Sequence, residues 1–406
     1  MHAALFTSAT TVLALHAAVD SFVAPEPGTT PGDHLLRASG TLIVLAAATA
    51  AFARSRAGVR AALAGAFGVL ALEGAAIAIA DAKAVGARGE DWTGFTLFPT
   101  GLLLLALAVR LLWRTRKPGR RRHLRRAGLA VAALLAAYWL VVPVGIGILA
   151  THRPRADVAH AELGRPYRDV TLRTSDGLTL AARYVPSRNG AAVVSYPTRT
   201  GASEHARMLV HHGYGVLLVD ARGYDGSEGD PNLFGWDGAK DVDTAVAWLA
   251  RREDVSEGRI GGIGFSVGGE VMLEAAASND ALRAVVSEGA GVRSAREHLL
   301  RGPKGWFSLP EAAVQTAAVA VLSGDAPPPS LGDVVSKIAP RPLLLIYAGR
   351  GGGGEELNPE YYRAASRPKS LWRIGEAQHV GGYQARPREY EARVVGFFDR
   401  ALFGRP

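Results

Sequence analysis

The run RIGGIGFSVGGEVMLEAAAS, from Arg259 to Ser278, decides the fold. Arg259–Phe265 is a short apolar run of the kind that forms a buried strand, and Gly268–Ser278 has helical spacing. At the join stands Gly264-Phe265-Ser266-Val267-Gly268, the single Gly-x-Ser-x-Gly of the chain, so Ser266 falls on a strand-to-helix turn. Small residues at 264 and 268 let that turn tighten until the Ser oxygen stands above the sheet. The next backbone N–H, on Val267, points with the amino end of the helix at the same spot, where it can hold an oxyanion.

The same alternation extends on both sides. Tyr167–Arg173 and Leu178–Val185 flank Ser175-Asp176-Gly177, a hairpin signal. Ala191–Tyr196, Val216–Asp220, Arg283–Ser287, Pro342–Tyr347 and Ser370–Ile374 read as further strands. Glu204–His212, Gly238–Arg252, Pro359–Ala365 and Arg388–Leu402 read as the helices between and after them. Strands alternating with helices predict an α/β domain with a mostly parallel sheet covered on both faces. The domain is placed at 165–406. The segment Gly289–Lys337 forms a small helical cap, with helical patches near Ser294–Arg301 and Glu311–Leu322. Trp306, Phe307 and Leu309 either line an acyl pocket there or pack the cap.

A serine hydroxyl needs a base, and the base needs an orienting acid. His379 follows the last apolar strand, in a loop over the carboxyl edge of the sheet, where open α/β folds place their sites. His205, His211, His212 and His298 read as surface or capping residues. The acid is expected from the loop Ala348–Pro359, whose carboxylates are Glu355 and Glu356. The order Ser, Glu, His is the one expected of a triad built on a nucleophile elbow.

Residues from about 165 to 402 resemble the α/β-hydrolase superfamily, above all its serine-aminopeptidase-like and dienelactone-hydrolase-like esterase branches. Asp220-Ala221-Arg222-Gly223-Tyr224-Asp225-Gly226-Ser227-Glu228-Gly229 resembles the family's D-x-R-G-x-G-x-S-x-G loop. Asp241–Leu249 resembles the helix that follows it, and Ala339–Ile346 the strand entering the acid loop. The resemblance implies Ser266 as nucleophile and His379 as general base. Two departures stand out. Where the family has His-Gly, this chain has Tyr196-Pro197-Thr198, so the second oxyanion donor matching the family's position is the Thr198 N–H. The family's acid is usually an Asp four residues before a Pro. Glu355 stands four before Pro359 and is the first choice, with Glu356 next and Glu288, after strand Arg283–Ser287, a further candidate.

The first third is of another kind. Five apolar stretches, roughly Ala3–Ala24, Leu35–Ala53, Val59–Ala80, Thr96–Trp113 and Ala127–Ala150, each approach the ~20 residues that cross a bilayer. The first has no Lys or Arg before it and a poor cleavage site at Phe22-Val23-Ala24, which argues against a signal peptide. Arg54–Arg60 and Arg114–Arg126 together carry eleven basic residues and no acid. The positive-inside rule places both loops in the cytoplasm. The expectation is therefore an α-helical membrane bundle of about five spans over 1–150, amino terminus inside, then a linker over 151–164 and the hydrolase domain outside. Within the spans, His16 and Asp20 lie four apart and Glu73 sits mid-span. Such groups either bond between helices or form a proton or ligand site, and the former is favoured.

Composition excludes several classes. The 406 residues include no cysteine, which removes a disulfide framework, a zinc knuckle and a thiol nucleophile. The formal charge is +9, but residues 1–153 hold sixteen Lys and Arg against seven Asp and Glu, while residues 154–406 hold thirty of each. The excess thus marks membrane topology, not a nucleic-acid-binding face. A loose dinucleotide fingerprint, Gly262-x-Gly264-x-x-x-Gly268 with Glu288 twenty residues on, is set aside because several strands precede it and His379 goes unexplained. The combined expectation is a multi-pass, membrane-anchored serine hydrolase acting on a small or lipid-like acyl ester or thioester, with no cofactor and no metal. A serine peptidase or acyltransferase on the same residues is the alternative, as is a non-catalytic membrane sensor or scaffold.

Overall fold

The computed structural model describes residues 1–23, 35–85, 89–114, 120–151, 162–196 and 203–404. The chain divides into two compact units, Met1–Ala136 and Ala137–Pro406.

The first unit is helical: α1 (His2–Ala18), α2 (Leu35–Arg54), α3 (Ala57–Val85), α4 (Gly89–Arg114) and α5 (Arg120–Ala136). Phe6 stacks on Phe52 at 4.0 Å, and Ala64, Leu104 and Leu107 complete a buried seam. Small residues permit close approach, since a methyl at Gly101 would lie 2.9 Å from the Gly68 carbonyl oxygen. His16 Nδ1 meets Thr93 Oγ1 at 3.0 Å, so this histidine is spent on an interhelical hydrogen bond. The side chains of Asp20 and Glu73 lie outside the described residues.

Among the described residues, three helices are long and apolar enough to cross a bilayer, His2–Val23, Ala57–Ala76 and Trp92–Trp113. About five were expected; the other two stretches appear among the described residues as the shorter apolar helices Thr41–Arg54 and Tyr138–Thr151.

The second unit opens with a π-helical turn, Ala137–Val141, and α6 (Val142–Thr151). Eight strands follow: β1 (Arg168–Arg173), β2 (Thr179–Val185), β3 (Ala192–Tyr196), β4 (Gly215–Val219), β5 (Ile260–Phe265), β6 (Ala284–Glu288), β7 (Leu343–Ala348) and β8 (Lys369–Ile374). They form one sheet in the order β1-β2-β4-β3-β5-β6-β7-β8. The β1–β2 and β2–β4 pairs are antiparallel, and every pair from β4 to β8 is parallel. The helices are α7 (Ser203–His211), α8 (Gly238–Leu249), α9 (Val267–Ser278), α10 (Ala295–Leu300), α11 (Pro303–Ser323), α12 (Leu331–Val335), α13 (Asn358–Ala364), α14 (Gly382–Ala385) and α15 (Pro387–Phe403).

Strand alternation feeds two cores. Val194, Val285 and Leu345 pack against α8, α9, α12 and α13 on one face. Val193, Val286 and Leu344 pack against α7 and α15 on the other. Burial on both faces is what a central parallel sheet requires. The C-terminal strand ends share a rung, Phe265 beside Glu288 beside Ile346 beside Trp372. The order reverses at β3, which lies between β4 and β5, and open α/β sheets bind ligands at such a switch point. In the cap segment, α11 starts at Pro303 and carries Pro310 inside it, eight residues earlier than the expected patch. Leu331, Val334 and Val335 of α12 are buried in the main core.

Candidate active site

The turn after β5 is tight because two backbones meet there. A methyl at Gly264 would lie 2.2 Å from the Gly268 carbonyl oxygen, and one at Gly268 would lie 2.3 Å from the Tyr196 carbonyl oxygen. Ser266 is held at φ 52°, a strained value for a residue with a Cβ, and its own N–H is bonded to Glu288 O at 2.8 Å. Strain of this kind is stored where a side chain must be aimed. Here it lifts Ser266 Oγ off the start of α9, whose first N–H, on Val267, has no partner within the helix.

Ser266 Oγ lies 2.8 Å from His379 Nε2. His379 Nδ1 contacts Glu355 Oε1. An ionised carboxylate only accepts, so Nδ1 carries the proton and the Nε2 lone pair faces the serine hydroxyl. Glu355 is 1% exposed and its second oxygen accepts from the Ala348 N–H at 2.8 Å. Its pocket is made by a missing side chain, because a methyl on Gly351 would sit 2.2 Å from Oε1. The His379 pKa is raised, first by the hydrogen bond to Glu355, against the opposing effect of burial. After His379 the chain turns through Val380 at φ 55°, a value a β-branched residue rarely takes.

The structure thus brings together Ser266, His379 and Glu355, with Val267 N–H beside the serine at the helix start. Two expected alternatives lie elsewhere. Glu356, one residue on, turns outward to Arg301 Nε at 2.7 Å. Glu288 is buried and accepts from the Gly382 N–H at 2.9 Å and from the Tyr390 hydroxyl at 2.5 Å. Burial raises its pKa. Its oxygens hold down the segment three residues past His379, and its backbone holds Ser266, so it braces both partners without touching the imidazole. Thr198 lies outside the described residues.

The expected surface or capping role fails for His205. It is buried on the inner face of α7, its ring tilted against that of Phe265 with centroids 4.2 Å apart, directly beneath the elbow. Burial drives its pKa down to about 3, so it is neutral. The apolar spacing of Ala206, Leu209 and Val210 on the same helix carried this signal. His298 is half-buried against Ser308 Oγ at 2.9 Å, and His212 pairs with Glu391 at 2.6 Å.

The residue that stands in place of the family's histidine has its own partner. Tyr196 Oη donates to Asp241 Oδ2 at 2.9 Å, and Asp241 Oδ1 takes two bonds from Arg222, at 3.0 and 2.7 Å. The D-x-R-G loop is therefore clamped to the end of β3 through one buried carboxylate. The expected alternatives for Trp306 and Phe307, pocket or cap packing, resolve differently. Both are more than half exposed, on the first turns of α11.

A doubly covered parallel sheet of this order, with serine, imidazole and carboxylate gathered over its switch point, defines an enzyme of the α/β-hydrolase type. Residues 160–379 match the X-Pro dipeptidyl-peptidase (S15) family, and the chain belongs to that family. It is 37% identical over 113 residues to an uncharacterized protein of Mycobacterium tuberculosis, a match covering 26% of this chain and 40% of that relative's length. It is 25% identical over 251 residues to the uncharacterized protein YfhR of Escherichia coli, covering 57% of this chain and 81% of YfhR. Among solved structures, the Pyrococcus furiosus esterase Pf2001 superposes with a TM-score of 0.51 at 22% identity, over 61% of this chain and 98% of the esterase, which shows the fold.

Proposed function

We propose that the chain is a membrane-anchored serine hydrolase that cleaves carboxylic esters or thioesters through an acyl-enzyme, with its hydrolase domain outside the cytoplasm. The observation that carries the reading is the continuous hydrogen-bonded path from Ser266 Oγ through His379 to the buried Glu355. Ser266 Oγ attacks the acyl carbonyl while His379 Nε2 takes its proton. The imidazolium that forms is stabilised by Glu355, and the developing oxyanion by the Val267 N–H, with Thr198 N–H as second donor. His379 returns the proton to the leaving group. Water, deprotonated by the same nitrogen, then releases the acid. The apolar helices and the two arginine-rich loops support the anchor and its orientation.

The activity for which the matched family is named supports a second reading, a serine peptidase on the same residues. A fluorophosphonate probe tests the shared chemistry. Wild-type chain is expected to label and Ser266→Ala to stay blank. Equal labelling of the two, or none of either, would overturn the hydrolase reading. Parallel turnover of a p-nitrophenyl ester and an X-Pro p-nitroanilide separates ester from peptide.

A further inference from the structure

The cap helix α11 does not lie free. In the π-helical turn before α6, Trp139 Nε1 donates to Phe307 O at 3.1 Å, and its ring stands 5.4 Å from that of Phe307. Eight residues further along α6, a methyl at Gly147 would lie 3.1 Å from Ala318 Cβ. Both helices advance in the same sense between these two points, so α11 runs parallel to the apolar helix Tyr138–Thr151 and packs along it. Tyr138–Thr151 carries no charge, and neither does Ala312–Ser323 of α11. Large apolar side chains flank this seam in the open. Leu140, Ile148 and Leu149 are about half exposed, Trp306 is 62% and Val321 84% exposed. Soluble surfaces rarely gather such a patch.

We propose that α11, with the tip it forms with α10, lies in the outer acyl-chain region of a lipid bilayer, and that the enzyme takes its acyl substrate from that layer. The inference rests on the membrane-anchored hydrolase reading and deepens it. The argument is geometric. Any bilayer that receives the exposed side chains of Tyr138–Thr151 must also receive the helix lying parallel against it. The side chains are suited to that depth. Phe307 joins Tyr138 and Trp139 in one aromatic cluster, and the neighbouring Trp306 is exposed. The tip is also tied to the chemistry, because Arg301 Nε holds Glu356, next to Glu355, at 2.7 Å.

The test uses the full chain in vesicles of phosphatidylcholine and phosphatidylglycerol. The chain has no cysteine, so Trp306→Cys, Val321→Cys and, at the opposite sheet edge, Glu257→Cys each take a single environment-sensitive fluorophore. Acyl-chain nitroxide lipids are expected to quench the labels at 306 and 321 several-fold more than the label at 257. Equal quenching at all three positions overturns the proposal. Failure of the protein to float with the vesicles overturns both the anchor and the proposal. Fluorophosphonate labelling without preferential quenching removes this inference alone. Quenching without labelling removes the hydrolase reading and leaves the cap in the bilayer. For the substrate route, Trp306→Glu is expected to lower turnover of a long-chain ester in the bilayer about tenfold relative to a soluble short-chain ester. An unchanged ratio overturns that route.

Discussion

Gly351→Ala is the most discriminating single change, because it alters the site without touching any of its three polar side chains. The added methyl would start 2.2 Å from Glu355 Oε1 and 2.5 Å from its carboxyl carbon. An ordinary contact needs ~3.5 Å, so the carboxylate must retreat by about 1 Å. It has little room, being 1% exposed and bonded to both His379 Nδ1 and the Ala348 N–H at 2.8 Å. A retreat of that size breaks one of the two bonds, and His379 loses its orientation. Misplacement on that scale costs on the order of 10²-fold in rate, equivalent to about 2.7 kcal/mol of barrier. The control is next door: a methyl at Gly352 meets nothing within 4 Å, so Gly352→Ala should keep wild-type activity. The assay is kcat/KM on a short-chain p-nitrophenyl ester, with a melting curve for each variant to show that the fold is intact. A Gly351→Ala enzyme within twofold of wild type, or a Gly352→Ala enzyme equally impaired, would refute the account of how the acid is seated.

Glu355→Gln should cut kcat by roughly 10²–10⁴-fold, since the amide can no longer stabilise the imidazolium. The wild-type imidazole pKa is raised chiefly by this carboxylate. Activity needs the neutral base, so the acid limb of the pH–rate profile should move to lower pH in Glu355→Gln; a limb that stays in place would deny the pairing. Glu288→Ala leaves the Gly382 N–H and the Tyr390 hydroxyl buried without their acceptor. At ~1–3 kcal/mol for each orphaned group, chemical denaturation should show a loss of about 2–6 kcal/mol, and an unchanged midpoint would contradict the bracing role. His205 has its folded pKa lowered from 6.5 to about 3. The stability this provides is present above pH 6.5 and is lost as pH falls toward 3, because the unfolded chain binds the proton first. His205→Phe should therefore lose less melting temperature between pH 7 and pH 4 than wild type, and a parallel decline would be evidence against it.

Most of the sheet was legible because its signal is local. Each parallel strand is a short apolar run between breakers, and every one from Ala192–Tyr196 to Lys369–Ile374 falls within a residue or so of where the pattern places it. Glu355 was separable from Glu356 only through its spacing to Pro359, and the structure shows the two side chains diverging from neighbouring backbone positions. What stayed hidden depends on contacts distant in sequence. The seat at Gly351 exists only because the loop folds back on itself. The start of α11 was obscured by Pro310, which reads as a first-turn residue although the helix has already begun at Pro303. Nothing in the period of Val142–Thr151 says that a helix more than 150 residues away will lie along it.

That last contact bears on how the chain can be taken apart. The loop after β4 reaches back as well, with the Leu233 N–H on the Ala150 carbonyl at 3.2 Å. Residues 137–151 therefore serve the enzyme as a splint, although by composition they read as the end of an anchor. Cutting after Thr151 to obtain a water-soluble catalytic fragment would strip the cap helix of the partner that Gly147 was kept small to admit. A cut before Ala137 would carry the splint along with the enzyme, together with its exposed apolar side chains Leu140, Ile148 and Leu149. Any scheme for producing the domain alone has to choose between shedding that apolar surface and keeping an intact cap.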